Sequence, residues 1–232
     1  MKQALLTILL LTGFWGQAQE SRGVTFQADL LSRHYWRGFA FGTSPCIEPQ
    51  VTFYSGKFSF DLWAANTIDE SYTEIDLIPT FTTGNFTFSL YDYYNPVPGQ
   101  VNRFFDFSKE GNRHSVELTA KYNGKGKFPL SWMVGTFLLG DRHPANRDPM
   151  FSTYLQGGYP FQWCGAHLEV SAGLSPWESY YSARFALVHA GISVADRIRV
   201  AERLFIPLKM AFNTNPSRSQ AYAIFSIGIV KE

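Results

Sequence analysis

The sequence predicts an all-β fold: a closed, antiparallel, up-and-down transmembrane β-barrel of about twelve strands. Three observations predict it. First, residues 57–95 hold three runs that alternate apolar and polar side chains. Phe58, Phe60, Leu62 and Ala64 oppose Ser59, Asp61, Trp63 and Ala65; Ile75, Leu77 and Phe81 oppose Glu74, Asp76 and Thr80; Phe86, Phe88 and Leu90 oppose Thr87, Ser89 and Tyr91. Period-two alternation marks strands whose faces meet different media. Second, the 232-residue chain is 17% aromatic, with 21 Phe, 12 Tyr and 6 Trp, yet its mean hydropathy is −0.12. A helical membrane protein would be far more apolar, whereas a barrel hides half of each strand in a wet lumen. Third, short and long connections alternate along the chain, as in barrels with turns at one rim and loops at the other.

Taken in order, the chain opens MKQALLTILLLTGFWGQAQE. A positive start, a short apolar stretch and small residues at 16–18 predict a secretory signal peptide over residues 1–18, followed by one barrel domain over residues 19–232. The apolar stretch is well short of the ~20 residues a spanning helix needs. The first strand is predicted over 23–34, with Phe26, Ala28 and Leu30 opposite Gln27, Asp29 and Arg33. An aromatic and glycine-rich loop (35–44) and a second strand (45–54) follow, with Ile47, Val51 and Phe53 opposite Glu48, Gln50 and Thr52. The opening stretch supplies strands three to five. Residues 96–112 form the longest loop. Strand six (113–122) sets Val116, Leu118, Ala120 and Tyr122 against Ser115, Glu117, Thr119 and Lys121. Strands at 128–139, 150–159, 166–175, 183–194, 199–212 and 219–230 complete the count. The last turns are placed at 160–165 and at Asp196-Arg197. In strand nine Leu168, Val170 and Ala172 oppose His167 and Glu169. In strand eleven Leu204, Ile206, Leu208, Met210 and Phe212 oppose Arg203 and Lys209.

Residues 29–66, DLLSRHYWRGFAFGTSPCIEPQVTFYSGKFSFDLWAAN, resemble the start of the TorF-type porins, a family of small bacterial outer-membrane barrels. The pattern lies in Asp29, Ser32, Arg33, Arg37 and Gly38, then Gln50, then Gly56 and Phe58, then Glu74 and Asp76. His34 stands where the family more usually has an aromatic. The resemblance implies an outer-membrane location in a Gram-negative bacterium and a pore. It brings no catalytic residues, no cofactor and no metal.

Charges at strand centres must face the lumen, because Arg or Lys facing lipid at mid-depth costs about 2–4 kcal/mol. The predicted lumen lining is Asp29, Arg33, Glu48, Asp61, Glu74, Asp76, Glu117, Lys121, Glu169, Arg203 and Lys209. Acidic positions dominate it, which predicts a cation preference if the bore is open. A salt-bridged, sealed lumen with a structural or surface-binding role is the alternative, and the pairing of the charges in space decides between them. The expected partners are outer-membrane lipid and small solutes or ions. Arg33, Trp36 and Arg37 are expected near the outer rim, as girdle anchors or contacts to lipopolysaccharide phosphates. The loop 96–112, with Phe104-Phe105-Asp106-Phe107, either folds inward as a constriction or packs on the rim. A net charge of +1 gives no nucleic-acid footprint.

Enzymatic function is not expected. Barrel lipid hydrolases place His and Ser one residue apart on a single lipid-facing strand, and His114-Ser115 are adjacent, so they point to opposite faces. Asp141, His143 and Asp148 lack a diagnostic metal spacing. Cys46 and Cys164, the only cysteines, are expected unpaired at opposite rims.

Overall fold

The computed structural model describes residues 21–108 and 111–232; the predicted signal peptide lies outside them. Twelve strands close into one barrel. They are β1 (Arg22–Leu31), β4 (Cys46–Ser55), β5 (Phe58–Thr67), β6 (Thr73–Thr83), β7 (Phe86–Tyr94), β8 (His114–Lys125), β9 (Phe128–Leu139), β10 (Thr153–Trp163), β11 (Ala166–Ser175), β12 (Ala186–Ala201), β13 (Leu204–Asn215) and β14 (Gln220–Lys231). The short β2 (His34–Trp36) and β3 (Phe39–Phe41) pair only with each other. Each barrel strand runs antiparallel to its sequence neighbour. Closure comes from β1 against β14, with Phe26 opposite Lys231 and Leu31 opposite Ser226. A closed ladder leaves no strand edge unpaired, which lipid requires because it offers no hydrogen-bond partners.

The alternation decides which face meets lipid. Phe26, Phe53, Phe58, Phe88, Leu118, Trp132, Val170, Ile192, Phe212, Phe225 and Ile229 are all exposed. They point outward from every part of the barrel wall. An apolar band of this extent is stable only in a bilayer, and the molecule is an outer-membrane β-barrel. Two-residue turns close one rim, as at Gly84-Asn85 between β6 and β7. Both ends of the described chain lie at that rim, and the longer loops lie at the other.

Several strand boundaries differ from the sequence reading. β1 ends at Leu31, so Arg33, read as a lumen-facing strand residue, lies beyond the strand. The β10–β11 turn is Cys164-Gly165, and β12 runs through Asp196 and Arg197 to Ala201. Arg203 therefore sits in the turn between β12 and β13 and not on a lumen-facing strand position. Asp and Arg signalled a turn here, but at an aqueous rim they remain in the ladder. Arg197 pairs with Glu232 at 3.1 Å and stacks on Phe205. Cys46 is buried at the loop rim and Cys164 exposed at the turn rim, both unpaired.

Candidate functional site

The first loop folds into the barrel. Residues 34–41 form a hairpin with His34 opposite Phe41, Tyr35 opposite Ala40 and Trp36 opposite Phe39. Its two-residue turn is Arg37-Gly38, with φ of 47° and 94°. Positive φ at both positions is the type I′ geometry that matches the twist of two-residue hairpins. Gly38 is obligatory for a second reason: a Cβ there would collide with the Val188 carbonyl on β12.

Arg37 explains why the loop turns inward. Its guanidinium grips fully buried Glu117 on β8, Nη1 to Oε1 at 2.5 Å and Nη2 to Oε2 at 2.9 Å. Nη1 also donates to the Tyr181 hydroxyl at 2.6 Å. The same group lies 4.6 Å from the Trp36 ring centre and 4.8 Å from that of Tyr154. Glu117 accepts a further bond from the Tyr93 hydroxyl at 2.8 Å. Gly135 on β9 clears the space, since a Cβ there would meet both Glu117 and Arg37. A buried ion pair repays its desolvation only with such bidentate geometry and satisfied neighbours.

The hairpin spans the lumen. Asn215 on β13 donates to the Gly38 carbonyl at 3.2 Å, and Tyr35 meets His189 Nδ1 at 2.9 Å, whose Nε2 meets Ser171 at 2.8 Å. Trp36, Phe39 and Phe41 pack with Tyr93, Phe137, Tyr154 and Tyr181 into an aromatic core. Tyr181 comes from the loop 176–185, which also turns inward. The loop-rim half of the lumen is thus packed, while Lys121 and Lys209 in the turn-rim half stay exposed.

Beside the hairpin lies a cavity of about 820 Å³, lined among others by His34, Glu48, Trp63, Tyr72, Glu74, Asp76 and Tyr91. His34 Nδ1 lies 2.7 Å from Glu48 and Nε2 lies 3.8 Å from Glu74. Tyr72 donates to Glu74 at 2.7 Å and stacks on His34 with ring centres 5.2 Å apart. Asp76 is 4% exposed, and its buried Oδ1 has no hydrogen-bond partner. Glu48 and Glu74 therefore share one histidine, Asp76 has no cation paired to it among the described residues, and Arg37, which lines the same cavity, is committed to Glu117.

The other sequence-derived candidates are scattered along the wall. Asp29 and Glu48 face each other across β1 and β4. Asp61 accepts from Thr52 and from Gln50 at 2.9 Å. Glu169 lies against Gly158. Arg33 reaches over the Tyr222 ring at 6.0 Å. Arg37 is not a rim anchor, and its burial rules out contact with lipopolysaccharide. Asp141 and Asp148 hold the backbone and side chains of their own loop, accepting from Ser152 N and from Asn146.

The long loop divides: Pro96, Val97 and Pro98 line the cavity, and residues 104–107 pack on the outside of the rim. His114, on the outer face of β8, lies 2.6 Å from the Phe104 carbonyl and 2.9 Å from Asp92. The Phe104 and Phe107 rings lie 4.9 Å from its own. His114 and Ser115 point to opposite faces, as adjacent strand residues must.

No protein-family model and no curated relative matches the chain. Solved structures similar to it include the KdgM porin, at 6% identity and TM-score 0.48 over 90% of this chain and 98% of that one. An outer membrane channel from Pseudomonas putida F1 shares 11% identity at TM-score 0.44, over 94% and 98% of the two chains. OprB from Pseudomonas putida shares 7% at TM-score 0.36, over 97% and 95%. The barrel topology itself stands on the strand pairing described above.

Proposed function

We propose that this barrel is a narrow outer-membrane channel for ions or small polar solutes, with the first-loop hairpin as its constriction and a preference for cations. The observation that carries this reading is the 820 Å³ cavity beside the hairpin. Its wall presents Glu48, Glu74 and Asp76 with no Lys or Arg among the described residues paired to them. Rings of carboxylates at a narrow point favour cations. The test is conductance of the refolded protein in a planar bilayer. Discrete steps with a cation-selective reversal potential support the reading, and a silent bilayer overturns the open channel.

A second reading has its own support. The aromatic core around Arg37 and Glu117 is packed as a plug is. Replacing residues 35–42 by a short Gly-Ser linker separates the two. If the intact barrel is silent and the linker variant conducts, the hairpin is a seal and the barrel has a structural or surface role.

A further inference from the structure

At the base of the hairpin, three side chains of metal-ligating type converge. His34 belongs to β2, while Cys46 and Glu48 stand on the same inward face of β4. One ligand atom from each lies within 4.8 Å of the others. Zinc–ligand bonds of about 2.0–2.3 Å put ligand atoms roughly 3.5 Å apart in a tetrahedral site. His34 Nδ1 and Glu48 Oε1, hydrogen-bonded at 2.7 Å, would part slightly to admit the ion, and the Cys46 sulfur would turn towards it. His34 and Cys46 are buried, so the set is enclosed and not a solvated surface cluster.

A second observation points independently to a cation. Asp76 lines the same cavity, is 4% exposed and leaves its buried Oδ1 without a partner. Burying a carboxylate oxygen unpaired is costly unless something positive faces it; of the two arginines that line the cavity, Arg37 is held by Glu117 and Arg142 donates to the Arg147 carbonyl. We propose that His34, Cys46 and Glu48 bind a divalent cation of the zinc class, with Glu74 and Asp76 as the outer carboxylates of the site.

The donor set selects the metal. A sulfur, an imidazole nitrogen and one carboxylate suit zinc or cobalt. Calcium and magnesium require several oxygen ligands and reject sulfur. Glu48 lies on the Nδ1 side of His34, so the metal takes Nδ1. That leaves the Nε2 N–H directed at Glu74, 3.8 Å away, the carboxylate–histidine–metal arrangement that fixes ring orientation. On binding, Cys46 gives up its thiol proton to solvent and ligates as the thiolate. His34 and Glu48 line the cavity, so an ion held there would be reached from it. Such a site would fasten the base of the hairpin to the barrel wall.

The test uses cobalt as a visible stand-in for zinc, on the full barrel in detergent carrying Cys164→Ser, so that Cys46 is the single thiol. One equivalent of Co²⁺ is expected to give a thiolate-to-cobalt charge-transfer band. Zinc displaces it and excess Ca²⁺ does not. His34→Ala should weaken binding at least tenfold, and Glu74→Gln roughly tenfold, as outer-shell losses do. Absence of the band in the Cys164→Ser barrel overturns the site, as does a band in wild type that survives Cys46→Ser. Folding is checked by heat-shifted mobility on gels. If Cys46→Ser fails that check, the single-thiol barrel still decides. None of these readouts depends on conductance, so the site and the channel stand or fall separately.

Discussion

Two loops of this barrel are rich in aromatics, and they fold in opposite directions. The first, with Tyr35, Trp36, Phe39 and Phe41, turns into the lumen. The other, with Phe104, Phe105 and Phe107, lies against the outside of the rim, leaving Phe105 and Phe107 exposed. Composition does not separate them; the difference is what the barrel wall offers each. Inside, Glu117 on β8 has space cleared beside it by Gly135 on β9 and accepts one guanidinium. Outside, Asp92 and His114 form a polar pair on a face otherwise apolar, and the Phe104 carbonyl covers it. Each loop goes where a buried polar group would otherwise be unsatisfied.

The comparison breaks most visibly at Arg37. Truncating one partner of a buried ion pair leaves the other uncompensated, which costs about 3–5 kcal/mol. Arg37→Ala should lower stability by that amount in urea unfolding from lipid vesicles, and should free the hairpin so that conductance rises. Replacing both Arg37 and Glu117 by apolar residues should recover much of the stability but not the closed hairpin. A loss under about 1 kcal/mol for Arg37→Ala would mean that the pair does not anchor the loop.

The outer loop should respond more weakly. His114→Ala removes a partner of Asp92 and of the Phe104 carbonyl, a loss of about 1–3 kcal/mol. Trypsin should then cut at exposed Arg103, while conductance stays as in wild type. A conductance change equal to that of Arg37→Ala would remove the distinction between the loops.

Much of this was legible in the sequence. The alternation, clearest in residues 57–95 and repeated in later strands, gave the fold class and the facing of most strands, because a pleat allows only two faces and lipid tolerates only one kind on the outside. The inward placement of Glu74, Asp76 and Glu117 follows from that alternation. The strand end at Arg203 was missed, since a rim in water accepts charged residues in the ladder. The hairpin was missed for a different reason. Arg37-Gly38 does carry a type I′ turn signal, but its destination depends on Glu117, eighty positions away, and on Gly135 across the next strand. Periodicity reports local surroundings and is blind to such partners. The one further cue was His34, a titratable ring within the aromatic run of the first loop, which is the residue that meets Glu48 and Glu74.

Selectivity sharpens the same contrast without loss of structure. Glu74→Gln with Asp76→Asn should move the reversal potential in a salt gradient towards zero, because the cavity then loses two of the three carboxylates beside the hairpin base. Lys209→Gln, in the wider turn-rim half, should change it little. Equal shifts from both would place the filter away from the hairpin.

The smallest effect is expected where the first loop meets its neighbour outside the membrane. Asp69 accepts from Thr43, from Ser44 at 2.7 Å and from Ser71 at 2.6 Å. These hydrogen bonds, led by Ser71 and then Thr43 and Ser44, hold its carboxyl below the usual carboxylate range. A depressed folded value means the clasp contributes fully above the unfolded value of ~3.9 and is lost only as pH falls through the folded one. Protease access to residues 68–72 should therefore stay constant from neutral pH down to ~4 and rise only below it. Asp69→Asn should raise access at neutral pH to the level the wild type reaches in acid and remove the dependence, while leaving the hairpin and conductance untouched, because Arg37 and not Asp69 holds the loop inside. A transition in the wild type at or above the ordinary aspartate value would mean that the clasp does not stabilise the charged carboxylate.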